Sequence, residues 1–211
     1  MNKQSVEVLP SHYHLVESID FKENRAQFIL LNVLSILFLL PFIIPVVYGW
    51  IHIPTSREEL LSGLLISLGI FIVLVFVHEA IHGFVYSQGT NKKVKYQFHG
   101  FAASASVPGV YFYKKHYLKV GLAPALIINP ILLLLVVLTN NQWQFILYLT
   151  LVFHFNGCVG DFYVTWLMRK RPDTLLTEDY GIGMRMYAPN PKAIVSGVAP
   201  QEETTIFDQF Q

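Results

Sequence analysis

The chain is short of charge and of cysteine, and each shortage excludes something. Of its 211 residues only 14% are Asp, Glu, Lys or Arg, where an ordinary soluble domain carries roughly a quarter. With 53% hydrophobic residues beside that, there is too little polar surface to clothe a globular core, and the composition points to a polytopic membrane protein. The formal net charge of +1 leaves no basic face to neutralise a phosphate backbone, so nucleic acid is not an expected partner. One cysteine, Cys158, cannot make an intrachain disulfide framework. No repeat or low-complexity tract stands out, and no cleavable signal peptide is visible. Met1 to Gln27 is polar and of mixed charge, and the apolar run that follows is too long for a signal core. The first transmembrane helix is expected to serve as the targeting element.

Long apolar runs are what the chain does have. Four spans are predicted, over about 27–50, 59–86, 118–139 and 142–168, each near the twenty-odd residues that a bilayer core requires. Pro41 and Pro45 are expected to kink the first, and Pro124 and Pro130 to break or kink the third, which membrane helices tolerate. Ser56-Arg57-Glu58-Glu59 reads as a capping box opening the second. Between spans two and three, the polar, Lys-rich segment 90–117 holds VKYQFHGFAASASV and VYFY on either side of Pro108-Gly109. That composition predicts a β-hairpin or extended ribbon. Residues 1–26 and 169–211 are left as flanking polar segments. Lys and Arg gather in these flanks and in the 87–117 loop, whereas the 51–58 loop has only Arg57 and the 139–142 turn none. The basic-residue rule then puts both termini in the cytosol. The expected fold is all-α and polytopic, with four transmembrane helices and a cytosolic β-hairpin-like insertion.

The second span ends in His78-Glu79-Ala80-Ile81-His82, an H-E-x-x-H pentad. Residues four apart lie on one face of a helix, so both imidazoles can reach one ion, and zinc is the usual occupant of such a pair. Glu79 sits one residue round, placed to handle the proton of a water without being a ligand. Ionisable residues at the end of so apolar a run are costly and mark a functional site.

A catalytic zinc takes three protein ligands and keeps one open position. The fourth span offers His154, Asn156 and Asp161. At 1.5 Å per residue, His78 and Asp161 each lie roughly 28 Å along spans that run in the same direction. Asp161 thus arrives level with the pentad, and His154 sits about 10 Å farther from the cytosolic end on nearly the same face. Asp161 is the expected third ligand. His154 is expected either to support a ligand from behind or to serve as an alternative ligand, and Asn156 is a candidate substrate or oxyanion contact. Gly157 and Cys158, small residues on that face, would let spans two and four approach closely.

The pentad at a membrane-helix end, with a later Asn-Gly-Cys-Val-Gly-Asp ending in Asp161, resembles the site-2 protease type of intramembrane metalloprotease. It is similar to the zincin peptidase family of bacterial membrane zinc metalloproteases. The resemblance covers about residues 60–168. It implies that His78, His82 and Asp161 bind Zn2+, that Glu79 is the catalytic base, and that the substrate is a membrane or membrane-adjacent protein cut at the bacterial cell membrane. In site-2 proteases the aspartate stands in a Leu-Asp-Gly setting, whereas here it follows Gly160. Two other readings fit the residues: a zinc-binding membrane protein without catalysis, and a small metal or proton transporter.

Overall fold

The computed structural model describes residues 4–20, 24–98, 103–181 and 183–190. The expected basic residue Lys22, the ribbon tip at 99–102 and the tail beyond 190 lie outside the described residues.

The apolar runs form helices: α1 (Arg25–Leu39), α2 (Ile43–Val47), α3 (Arg57–Ser87), α4 (Lys114–Leu138), α5 (Asn141–Gly157) and α6 (Val159–Arg169). Three stretches, Arg25–Val47, Arg57–Ser87 and Lys114–Leu138, are long and apolar enough to cross a membrane; there are four if α5 and α6, bent by 41° between them, count as one. A 3-10 turn at Leu40–Phe42, carrying Pro41, joins α1 to α2. Ser56 caps α3, its hydroxyl accepting the Glu59 amide at 3.2 Å, and Glu58 and Glu59 sit in the first turn, where the helix dipole favours acids. Asn141 at φ 54 turns the chain from α4 into α5.

Two expectations about interruptions change places. Pro124 and Pro130 both lie inside the continuous α4, whereas the fourth run breaks at Cys158, between α5 and α6. A proline removes one helical hydrogen bond and need not end a helix whose neighbours hold it in register. Buried Ile128 and Leu132 of α4 do this, packing with Tyr148 and Leu151 of α5.

The larger departure is in the strands. β3 (Lys95–Phe98) and β4 (Ala103–Ser106) pair antiparallel in the predicted ribbon. The polar flanks, however, are also strands: β1 (Ser5–Val6), β2 (Tyr13–Asp20), β5 (Tyr111–Tyr113), β6 (Leu176–Asp179) and β7 (Gly183–Pro189). They make a five-stranded sheet in the order β1-β5-β6-β7-β2. The fold is therefore helices plus a small antiparallel sheet, not an all-α bundle with one hairpin. Alternation in β7, with Met184, Met186 and Ala188 inward, gives the sheet one apolar face. That face packs on the ends of α3, α4 and α6 through Tyr86, Tyr117, Val120, Val164 and Met168. Gly183 is needed at the β2–β7 contact, because a Cβ there would meet the Ile19 carbonyl oxygen at 2.3 Å.

A second cluster, Ile128, Leu132, Val136, Tyr148 and Leu151 with Ile51, holds α4 against α5 at the other end of the molecule. α3 lies on α5 where Gly63 admits the Phe145 ring; a Cβ there would sit 3.0 Å from it. Beside it the Ser67 hydroxyl reaches both Gly63 and Ile146 carbonyls, at 2.7 and 2.9 Å. This packing fixes the rotation of α3, and so the direction in which its last turns point.

Candidate metal centre

On α3, His78, His82 and Tyr86 follow one another at single-turn spacing. The α5–α6 break sets Asp161 in the first turn of α6, facing the two histidines. His78 Nε2 and His82 Nε2 lie 2.9 Å apart. The Asp161 carboxylate is 3.3 Å from the first and 3.6 Å from the second. Ligands about 2.1 Å from a tetrahedral zinc stand about 3.4 Å from one another, so the three separations are those of ligands sharing one such ion.

Hydrogen-bond direction agrees with that donor set. His82 Nδ1 lies 2.9 Å from the Val120 carbonyl oxygen. A carbonyl only accepts, so Nδ1 carries a proton, and in the neutral imidazole Nε2 then presents its lone pair toward His78 and Asp161. The acceptor has a local origin. In a helix the Val120 carbonyl would bond the amide of residue 124, which is Pro124 and has none. The proline that does not break α4 instead leaves a carbonyl for His82. Such an outer contact, orienting a metal-binding imidazole, is the ordinary support of a zinc site. Two imidazole nitrogens and a carboxylate at these separations suit a cation, and the residues fit zinc.

Glu79 is half-buried one position round from His78, and the Ala105 backbone of β4 hydrogen-bonds its carboxylate. His78, Glu79, His82 and Asp161 line a cavity of about 490 Å3, which β4 borders with Ala103, Ser104 and Ala105. Phe28, Leu31, Asn32 and Ser35 of α1 form another wall. Beyond the metal-type cluster the cavity reaches Tyr86, Tyr117 and Asp179. Both tyrosine hydroxyls donate to Asp179 Oδ2 at 2.7 Å, and the Gly181 amide donates to its Oδ1 at 2.8 Å. Burial pushes the Asp179 carboxyl above the usual carboxylate range, against the pull of those three donors.

His154 and Asn156 do not border this cavity. His154 is buried behind His78, its Nε2 3.2 Å from His78 Nδ1. Asn156 has its Oδ1 buried without a hydrogen-bond partner. A second trio, His78, His154 and Cys158, also brings donor atoms within 4.8 Å of one another. There the Cys158 thiol donates to the His154 carbonyl at 3.2 Å, and His78 turns Nδ1, not Nε2, toward the group. The close approach expected at Gly157 is loose, since a Cβ would find Phe71 at 3.8 Å.

Residues outside the pentad and Asp161 were harder to find in the sequence. Pro124 four residues after Val120 signals a free carbonyl, Tyr86 extends the His78–His82 spacing by one turn, and Asn129 is a polar residue in a long apolar run. Asp179 had no comparable signal, because it reaches the cavity only through the sheet.

Two histidines and one carboxylate thus converge at a cavity wall beside a glutamate held by the Ala105 backbone. A family model described as "Putative zincin peptidase" matches residues 71–176. The chain belongs to that zincin peptidase family. No curated protein matches the chain, and no solved structure does.

Proposed function

We propose that the chain is an integral membrane zinc metallopeptidase that hydrolyses peptide bonds of a membrane or membrane-adjacent protein. His78, His82 and Asp161 hold the metal, and Glu79 is the general base. The observation that carries the reading is the convergence of two imidazole nitrogens 2.9 Å apart with a carboxylate whose two oxygens lie 3.3 and 3.6 Å from them, beside a glutamate that is not one of the three. Family membership supports the peptidase class. The outward-facing apolar side chains of α1, α3 and α4 support the bilayer, and the basic residues near 22–25, 92–95 and 169–171 favour cytosolic termini.

Bound zinc supplies a water activated near neutral pH and polarises the scissile carbonyl. The protein's own groups do the rest. Glu79 takes the proton of the attacking water and returns it to the leaving amine. β4 pairs with β3 along one edge only, among the described residues, and its Ala105 backbone hydrogen-bonds Glu79. A substrate segment unwound from helix and laid along that open edge gains main-chain hydrogen bonds and passes its backbone before Glu79. The α1 wall, with Phe28 and Leu31, covers the segment from one side.

The test uses zinc-loaded full-length protein in liposomes with fluorescence-quenched transmembrane peptides. Glu79→Gln is expected to bind zinc as the wild type does and to lose about 10²–10⁴ in hydrolysis. Hydrolysis at the wild-type rate would remove Glu79 from the mechanism.

A further inference from the structure

We infer that Asn129 and His154 form a positioning relay that fixes the tautomer of His78, so that its Nε2 lone pair is committed to the metal. This rests on the reading of His78, His82 and Asp161 as the zinc ligands, and it assigns work to a buried histidine and a half-buried asparagine that touch neither metal nor substrate.

The chain of contacts runs one way. Asn129 Oδ1 lies 2.7 Å from His154 Nδ1, and an amide oxygen only accepts, so His154 carries its proton on Nδ1. His154 Nε2 then holds a lone pair, and it faces His78 Nδ1 at 3.2 Å. His78 must supply the proton of that bond from Nδ1, which leaves its own Nε2 bare toward His82 and Asp161. His82 reaches the same state by another route, through the Val120 carbonyl at 2.9 Å. Two ligands on one helix are thus set by two different acceptors, a main-chain oxygen freed by Pro124 and a side-chain pair borrowed from α4 and α5.

Surroundings make the relay consequential. His154 is 2% exposed, with no water to take over its hydrogen bonds, and a buried imidazole left with the wrong tautomer would set two N–H groups or two lone pairs against each other. The α5–α6 break at Cys158 gives the last turn of α5 to His154 and the first of α6 to Asp161, so relay and ligand approach His78 from different helices. Asn129 directly precedes Pro130, within a helix otherwise apolar along this stretch, where a polar side chain without a task would be costly.

The experiment measures zinc affinity of the full chain in detergent by chelator competition, with the visible spectrum of the cobalt-substituted protein as second readout. His154→Leu removes the acceptor and is expected to weaken zinc binding about 10–100-fold, while cobalt at saturation still gives a tetrahedral spectrum. Asn129→Leu should act in the same direction with a smaller loss. His154→Gln, whose amide oxygen can accept from His78 Nδ1, should recover most of the affinity. Wild-type affinity in both leucine variants would overturn the relay while leaving the zinc site standing. So would complete loss of zinc in His154→Leu without recovery in His154→Gln, which would make His154 a ligand or a folding element. A wild-type protein that takes up no zinc would overturn the site itself, and the relay with it.

Discussion

On α3, Val73 is 62% exposed and Phe76 equally so, and α1 buries none of its residues. On the sheet, Met186 and Phe112 are wholly sealed, together with Val110 and Leu176. The two regions treat apolar side chains in opposite ways because they answer to different surroundings. The sheet hides one face against the ends of three helices, as any water-facing layer must. The helices turn their apolar surface outward, which is compatible with an apolar neighbouring medium. The cavity sits at the join, drawing His78, His82 and Asp161 from the helices and Asp179 from the sheet. The proposed chemistry would use both: the helices for the metal ligands and a strand edge for an extended chain.

The comparison can be broken in several places. Met186→Ala should cost about 2–5 kcal/mol, the usual penalty for emptying a sealed core position, read as a loss of thermal stability in detergent; a change near zero would mean that the sheet is not a packed layer. Val73→Asp, at the middle of α3, should cost about 2.5–3.5 kcal/mol in an insertion assay, the scale for an acid at the centre of a membrane helix. Undiminished insertion would put that face in water.

Asp179→Ala should cost about 1–3 kcal/mol, since it leaves the Tyr86 and Tyr117 hydroxyls buried without an acceptor. Asp179 also carries a pH signature. Its folded pKa is raised by burial, so the unfolded chain gives up this proton first as pH rises. Its contribution to stability is then full below the ordinary carboxylate pKa and declines as pH climbs through the raised value. Melting temperatures measured across that window should fall with pH in the wild type and fall less in Asp179→Asn. The smallest effect is expected at Leu15, which is 51% exposed on β2. Leu15→Asp should stay within about 0.5 kcal/mol of the wild type, although its exposure is close to that of Val73. That contrast is the sharpest, because similar exposure has opposite consequences in the two regions.

Much of the helical part could be read in the sequence because its signals are local. Apolar runs set the spans, Ser56 and Glu59 set the start of α3, and four-residue spacing put His78 and His82 on one face. Asp161 was accessible by counting turns. The sheet was not, for a physical reason: β6 and β7 pair as a local hairpin beyond residue 175, but that hairpin joins the sheet through β5 and β2, and β1 pairs with β5, all distant in sequence. β2 also carries a register shift between Leu15 and Glu17, which spoils the alternation that would have marked it. The prolines misled in the other direction. Pro124 was read as an interruption, whereas in the structure it frees the Val120 carbonyl that holds His82.

The central claim is that His78, His82 and Asp161 bind one zinc. It is tested most directly by the metal content of the detergent-purified chain after zinc reconstitution, compared with His82→Ala and Asp161→Ala. The account predicts one zinc per wild-type chain and marked loss in both variants. A wild type without zinc, or an Asp161→Ala variant that holds it as tightly, would contradict the site as drawn.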